Sequence, residues 1–445
     1  MRSPARKATR ELTEAYNRHL VLRTIYDQGQ ISRAGIARAT ELTRTTVSDM
    51  VDWLMRQGLV EEIGYGPSAG GKPPILLTVV DDSRHLIGID LARDEFCGAV
   101  VNLRGEIRHQ VSLPLEGRDG EAALALVYEL VHRLVTGTNS PLLGIGIGTP
   151  GLIDPIGGVV RQAVNLDWQD LPLRMRLQER YGLPVHVAND CQVAALAEHI
   201  FGEGQGLDNL AVIKIEHGIG AGIVLNGQLF HGDTFGAGEL GHVTVVENGQ
   251  PCRCGNFGCL ETVAGAWAIV QQAQMIAQND PHSALHQLAS SPEKITMREV
   301  CQAVEAGDQA VREIVVKAGR CLGIALANLV AVLSLRNILI AGSVTCLEPP
   351  LLDVMRQEMI RRSLTPMARE AEVGISSMGP DMVILGASAL VLTRELGLFA
   401  PLVNQLPYSA EAPWNGAPRN GVPGNGGAPR NDDGSSRGSP GAGSQ

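Results

Sequence analysis

The sequence predicts a small winged helix-turn-helix at the N-terminus, mainly α, followed by a larger α/β body of two lobes. Three observations carry this expectation. The first 60 residues carry a net charge of +4 in a chain whose total is -10. Residues 16–66 space their apolar side chains as three short helices and a hairpin. From His85 onward, apolar strands, glycine turns and helices interleave, and the pattern occurs twice.

Composition bounds the rest. With 445 residues, 44% hydrophobic and 19% charged, the chain is long enough for two or three domains with cores of their own. The longest apolar run, Cys321 to Leu335, contains Asn328 and falls short of the roughly 18 to 20 residues a membrane span needs, so it reads as a buried core helix. Arg2, Arg6, Lys7 and Arg10 run straight into polar residues, which makes residues 1–15 a basic arm rather than a secretory signal. A cytoplasmic protein with no membrane partner is expected. In a reducing compartment the eight cysteines are not expected to form a disulfide framework, and a tight cluster among them points to metal.

In the head, residues 16–82, Leu20, Val21, Leu22 and Ile25 lie at helical spacing between Tyr16 and Gln28, and Gly29 stops the run. Ser32 is the expected N-cap of the helix in "RAGIARA", and Thr43 that of a helix reaching Gln57. Val47, Val51 and Leu54 form the inward stripe of this last helix, with Gly58 as its stop. Thr43, Arg44, Thr45, Thr46 and Ser48 then face outward at its N-terminal end, where short hydroxyls and a guanidinium suit contacts to double-stranded DNA. Two strands around a Gly/Pro/Ser turn bearing Lys72 complete a wing. Glu41 occupies the turn site where glycine is usual, and a left-handed backbone there costs on the order of 1 kcal/mol. A basic head (+4) on an acidic body (-14) fits a polyanion-binding module; a helical bundle for protein contact is the bland alternative.

In the body, residues 83–400, "LIGIDLARDEFCGAVVNLRGEIR" reads as strands around a turn, "AALALVYELVHRLV" as a helix, and "LLGIGIGTPGLID" as a buried strand opening into a glycine loop. The expected lobes are 83–190 with 381–400, and 191–380. Residues 401–445 turn to Gly, Pro, Asn and Ser, with "GAPRN" at 416–420 and again at 427–431, and are expected to be disordered. His242, Cys252, Cys254 and Cys259 follow the spacing H-x9-C-x-C-x4-C. Three thiolates and an imidazole make a closed tetrahedral set for a structural zinc, with no position left for a reactive water. Glu239 and Glu261 flank this loop.

"GIGTPGLID", "NLDWQDLPL", "VHVANDCQVAALAE", "GELGH" and "CRCGNFGCLE" together resemble the ROK family of repressors, open reading frames and sugar kinases. With its head, the chain is similar to the sugar-responsive transcriptional repressors of that family over roughly residues 16 to 395. The resemblance implies an actin-like, RNase H-like two-lobed ATPase fold and the same four zinc ligands. It also implies that Glu239, His242 and Glu261, with Asn189 and Asp190, hold the hydroxyls of a monosaccharide effector. Asn165 is a weaker candidate that serves equally as a turn residue, and the bland alternative for Asn189 and Asp190 is that they cap the helix starting near Cys191. A kinase of the family would use Asp190 as general base and a D-x-G-G-T loop to cradle phosphate. Here that stretch is Asp90-Leu91-Ala92-Arg93-Asp94. Gly218, Gly220 and Gly222 form a second glycine loop that also fits a tight hairpin. The expected function is therefore a sugar-sensing repressor without catalysis, a homodimer through the helix near Arg320 to Leu335 that binds operator DNA. An ATP-dependent sugar kinase and a zinc-stabilised interaction module are the alternatives.

Overall fold

The computed structural model describes residues 10–67, 73–92 and 94–399. Lys72, Arg93 and the 401–445 segment expected to be disordered lie outside the described residues, as does most of the basic arm.

The head begins with α1 (Arg10–Gln28), six residues before the predicted start at Tyr16. Residues 10–15 contain neither Gly nor Pro, and Glu11 sits in the first turn where the helix dipole favours an acid, so this part of the expected arm is helical instead. After β1 (Ile31–Ser32) comes α2 (Arg33–Thr40), whose cap Ser32 accepts a hydrogen bond from the Gly35 N–H at 3.1 Å. Glu41 then takes the left-handed conformation, φ 58°. In α3 (Arg44–Arg56) the Thr43 hydroxyl accepts from Thr46 N–H at 3.2 Å, while Val47, Val51 and Leu54 are buried. β2 (Val60–Tyr65) and β3 (Ile75–Val79) form the antiparallel wing, with β1 on the other edge of β3. Arg33 donates to Asp52 at 3.1 Å and to Glu62 at 2.7 Å, tying α2 to α3 and the wing.

The head is docked rather than tethered. The Tyr26 hydroxyl donates to the Leu103 carbonyl at 2.9 Å, and the Arg104 guanidinium lies 4.0 Å above the Tyr26 ring. Arg104 also donates to Asp81 at 3.0 Å and to the Tyr26 carbonyl at 2.9 Å.

The first lobe runs β4 (His85–Leu91), β5 (Glu95–Asn102), β6 (Ile107–Pro114), α4 (Gly120–Thr136), β7 (Leu142–Thr149), a small sheet of β8 (Leu152–Asp154), β9 (Val159–Ala163) and β10 (Trp168–Leu171), then α5 (Leu173–Tyr181) and β11 (Val185–Asn189). Its main sheet has the order β11-β7-β4-β5-β6, parallel across β11, β7 and β4. α6 (Asp190–Phe201) leads to the second lobe: β12 (Leu210–Ile215), β13 (Ile219–Leu225), β14 (Gln228–Leu229), α7 (Glu261–Ala264), α8 (Ala266–Asn279), α9 (Leu285–Leu288), α10 (Met297–Glu305), α11 (Gln309–Leu333), β15 (Asn337–Ala341), α12 (Pro350–Arg362), α13 (Thr365–Glu370) and β16 (Glu372–Ile375), after which α14 (Met382–Val391) returns to pack on β4 and β7 of the first sheet. The second sheet has the order β14-β13-β12-β15-β16. Each lobe thus joins an antiparallel meander to parallel strands, the repetition the sequence pattern implies.

α6 and α14 pack together in one buried cluster with strands β12, β13 and β15 of the second sheet. Gly386 brings them to backbone contact, since a Cβ there would lie 1.8 Å from the Val193 carbonyl oxygen. Gly146 does the same for β7 against α14, 1.9 Å from the Ala387 oxygen. α11 is long and apolar enough to cross a membrane by length and composition, yet 61% of its apolar window is buried against the rest of the lobe. It is the core helix expected from Cys321 to Leu335.

The cysteines depart from expectation at one point. Cys301 of α10 and Cys346, in the 3-10 turn after β15, form a disulfide across a 45-residue separation. Their pairing follows from the packing of two distant segments, so no local spacing announces it.

The strained turn yields a prediction. Glu41→Gly removes a left-handed penalty of about 1 kcal/mol, so hydrogen exchange of the α2 and α3 amides is expected to slow about fivefold.

Candidate functional site

The candidate cleft lies where the parallel strands end. β7 lies between β4 and β11, and its register sets Asp90 opposite Gly148 and Asn189 opposite Thr149. Both side chains therefore arrive at the carboxyl edge of one sheet, where α/β folds place ligands. Asn189 caps α6: its Oδ1 accepts from Cys191 N–H at 2.9 Å and Gln192 N–H at 3.3 Å, and its Nδ2 donates to the Gly151 carbonyl at 3.0 Å. The capping role considered for Asn189 is realised, and it anchors the "TPGL" loop as well.

Asp190 instead makes an ion pair. Its Oδ2 lies 2.8 Å from Nζ of Lys214 on β12, with both side chains largely buried. Burial by itself would raise the Asp190 carboxyl, but the ammonium and the Cys191 N–H bring it below its ordinary value. Burial likewise works against the Lys214 charge, and Asp190 and Asp90 outweigh it. Asp90 is pushed up to about 7, first by burial, then by the carboxylates of Asp190, Glu216 and Glu95, with Lys214 opposing. One of its oxygens is buried without a hydrogen-bond partner. Sequence reasoning missed Lys214; its one signal is a lone charge inside the apolar strand "LAVIKI".

β13 forms the facing wall. A Cβ on Gly222 would lie 2.0 Å from the Cys191 oxygen, and one on Gly220 2.5 Å from its Sγ. Both glycines lie within strand β13 rather than in its turn, so neither the phosphate loop nor the tight hairpin explains them: they let β13 lie against the start of α6. Glu261, first residue of α7, accepts from Ile219 N–H at 3.3 Å, and Gly218 leaves room for its carboxylate. The Gly238 carbonyl accepts from Ala221 N–H at 2.8 Å and so holds Glu239 beside β13. Partial burial, together with the charges of Asp190 and Glu261, raises the Glu239 carboxyl. Asn165 stands exposed in the 3-10 turn Val164–Leu166, and the polar contacts that assemble the other residues do not include it.

His242, Cys252, Cys254 and Cys259 converge. Their donor atoms all lie within 4.8 Å of one another, with Cys252 Sγ 3.6 Å from His242 Nδ1 and Cys254 Sγ 3.7 Å from Cys259 Sγ. A tetrahedron with metal–sulfur bonds of about 2.3 Å has edges of about 3.8 Å, so the cluster could hold a metal with little rearrangement. The other ring nitrogen of His242, Nε2, faces Glu239 Oε2 at 3.8 Å. His242 thus connects the cluster to the cleft.

On the head, Arg44 and Thr45 are exposed and Thr46 and Ser48 partly so. The Thr43 hydroxyl, besides capping, shares a hydrogen bond with the Thr46 hydroxyl at 2.9 Å. Lys72 lies outside the described residues.

Comparison with known proteins fits this arrangement. The ROK family profile matches residues 86–394, and the MarR family profile matches residues 16–62. The chain belongs to the ROK family. A xylose repressor of Caldicellulosiruptor bescii is 33% identical over 389 residues, 86% of this chain and 97% of the repressor. A crystal structure of a ROK family transcriptional regulator, a homologue of the Escherichia coli MLC protein, superposes with a TM-score of 0.77 at 29% identity, covering 87% of this chain and 98% of that one. A glucokinase of Halalkalibacterium halodurans is 36% identical over 320 residues, 96% of its own length but 70% of this ROK chain.

The Asp90 shift gives a pH prediction. A carboxyl whose folded pKa is raised holds its proton after the unfolded chain has released it, so stability falls as pH rises from about 4 towards 7. Asp90→Asn removes this dependence. The variant is expected to gain thermal midpoint over the parent at pH 8 and to match it near pH 4, read by calorimetry.

Proposed function

We propose that this ROK protein is a transcriptional repressor that binds operator DNA through residues 16–82 and senses a monosaccharide in the cleft of residues 83–400. The observation that carries the reading is the joining, in one docked chain, of a winged helix with an exposed hydroxyl and guanidinium edge to a cleft rich in hydroxyl-binding groups. Thr43, Arg44, Thr45, Thr46 and Ser48 contact DNA, with Lys72 on the wing. Asp190, Glu239, His242 and Glu261 receive sugar hydroxyls, each of which can donate and accept. Asn189 spends its oxygen on the cap and contributes at most an N–H, and Asn165 closes the site only if its turn folds over the ligand.

His242, Cys252, Cys254 and Cys259 hold a structural zinc. When bound, the ion orders a loop that has little apolar core, and Phe257 beside it is 61% exposed. Through His242 the same loop fixes Glu239 at the cleft.

The kinase alternative draws support from the glucokinase relative. Against it, the stretch that would cradle phosphate has Asp90, Leu91, Ala92 and Asp94 around Arg93, without glycine or threonine. Asp190, the expected base, is already paired with Lys214. Sugar alters operator affinity by preferring one arrangement of lobes and head, with a coupling typically of about 1 to 3 kcal/mol. A homodimer working in the cytoplasm completes the reading.

The deciding measurement is a thermal-shift screen over monosaccharides. A sugar at 100 times its dissociation constant is expected to stabilise the protein by about 2.7 kcal/mol, and the same sugar is expected to change salt-dependent operator binding. Arg44→Ala is expected to weaken operator binding by about 1 to 3 kcal/mol without changing sugar affinity. Sugar-dependent ATP turnover abolished by Asp190→Asn would establish the kinase instead.

A further inference from the structure

Lys214 has no role in sugar binding in the reading above, yet the buried carboxylates gather around it. Its strand belongs to the second sheet, whereas Asp190 directly follows the last strand of the first, so the pair bridges the two at the cleft floor. The side chains are 14% and 16% exposed, which leaves little water to screen them. Lys214 holds Oδ2 of Asp190 at 2.8 Å; the carboxylate also feels the Cys191 N–H, and Oδ1 has a weak contact from the Cys191 thiol at 3.7 Å, which leaves it room for a further donor. The surroundings are otherwise acidic. Asp90 presents a buried oxygen without a partner, and the charges of Glu95, Glu216 and Glu239 bear on Asp90 or Asp190.

Two physical consequences follow. A carboxylate buried among other carboxylates would take up a proton unless a cation held it, and one of its oxygens would then present an O–H donor where the ionised group only accepts. A single ammonium already committed to Asp190 has no charge to spare for a phosphate, which would meet the remaining carboxylates without compensation.

We propose that Lys214 is a positioning and specificity-determining residue of the sugar site, fixing Asp190 through one oxygen so that the other receives a hydroxyl, and restricting the cleft to unphosphorylated sugars. The proposal rests on reading the cleft as a sugar site. Lys214 acts through Asp190 and needs no contact with the ligand.

The test is isothermal titration of the full chain with D-xylose and D-glucose, and with the phosphate ester of whichever binds more tightly. Lys214→Met is expected to weaken sugar binding about tenfold, and Lys214→Arg to keep it within about threefold. The double variant Asp190→Asn/Lys214→Met is expected to bind within about threefold of Asp190→Asn alone, because Lys214 has no effect once its carboxylate partner is gone. The phosphate ester is expected to bind about tenfold more weakly than its parent sugar, or not at all. Wild-type affinity in Lys214→Met, an undiminished Lys214→Met penalty in the Asp190→Asn background, or equal binding of the phosphate ester would each overturn the proposal. If neither sugar binds the wild type, or if D-glucose is phosphorylated with ATP, the sugar-sensing repressor reading itself fails, and this proposal with it. Lys214→Arg and the double variant, which bury no lone charge, keep the test open if Lys214→Met does not fold.

Discussion

The start of α6 is the constraint on which the cleft depends. Three things meet there: the end of the parallel sheet, the cap that Asn189 supplies, and the carboxylate of Asp190. The cap satisfies amides that would otherwise be orphaned and ties down the loop at Gly151. Because β13 and α14 both pack against this helix, at Gly222 and Gly386, its position is fixed by backbone contact on two sides. Asp190 inherits that rigidity. A side chain so held is pre-positioned by the fold, which would lower the ordering cost of the sugar binding proposed for it.

From this point the site extends along a short chain of contacts. Lys214 reaches Asp190 from the second sheet, Gly218 just before β13 admits Glu261, and Gly238 hangs Glu239 on that strand. His242 then joins Glu239 to the sulfur cluster. The loop of three cysteines and a histidine and the carboxylate edge are therefore one construction, which gives a mechanical reason for a cysteine-rich loop to border a glutamate.

Much of this was legible in the sequence because it is local. Caps at Ser32 and Thr43, the stripe Val47–Val51–Leu54, the left-handed Glu41 and the four convergent metal-ligand residues all follow from spacing and side-chain chemistry. What escaped depends on partners distant in the chain. Lys214 meets Asp190 across 24 residues and two sheets, and Cys301 meets Cys346 through the packing of α10 against a turn. Neither partner alters the pattern around it. The extra turns of α1 escaped for another reason: "RELTEAY" is polar enough to be solvated, and only the absence of a breaker distinguishes a helix from an arm there. Gly220 and Gly222 were open to two readings, phosphate loop and tight hairpin, and what stands 2 to 2.5 Å from their missing side chains gives another reason, the close approach of α6, which depends on a helix outside the local pattern.

The seat that Leu103 and Arg104 offer to Tyr26 sets how the molecule meets a double helix. A head on a slack leash can search for its half-site at many separations; one seated against the body has its reach dictated by the scaffold beneath. DNA offers equivalent faces only once per turn, about every 10.5 base pairs. For two such chains joined body to body, an operator whose halves are moved apart by half a turn would turn one face away, and no loosening of a linker could recover it.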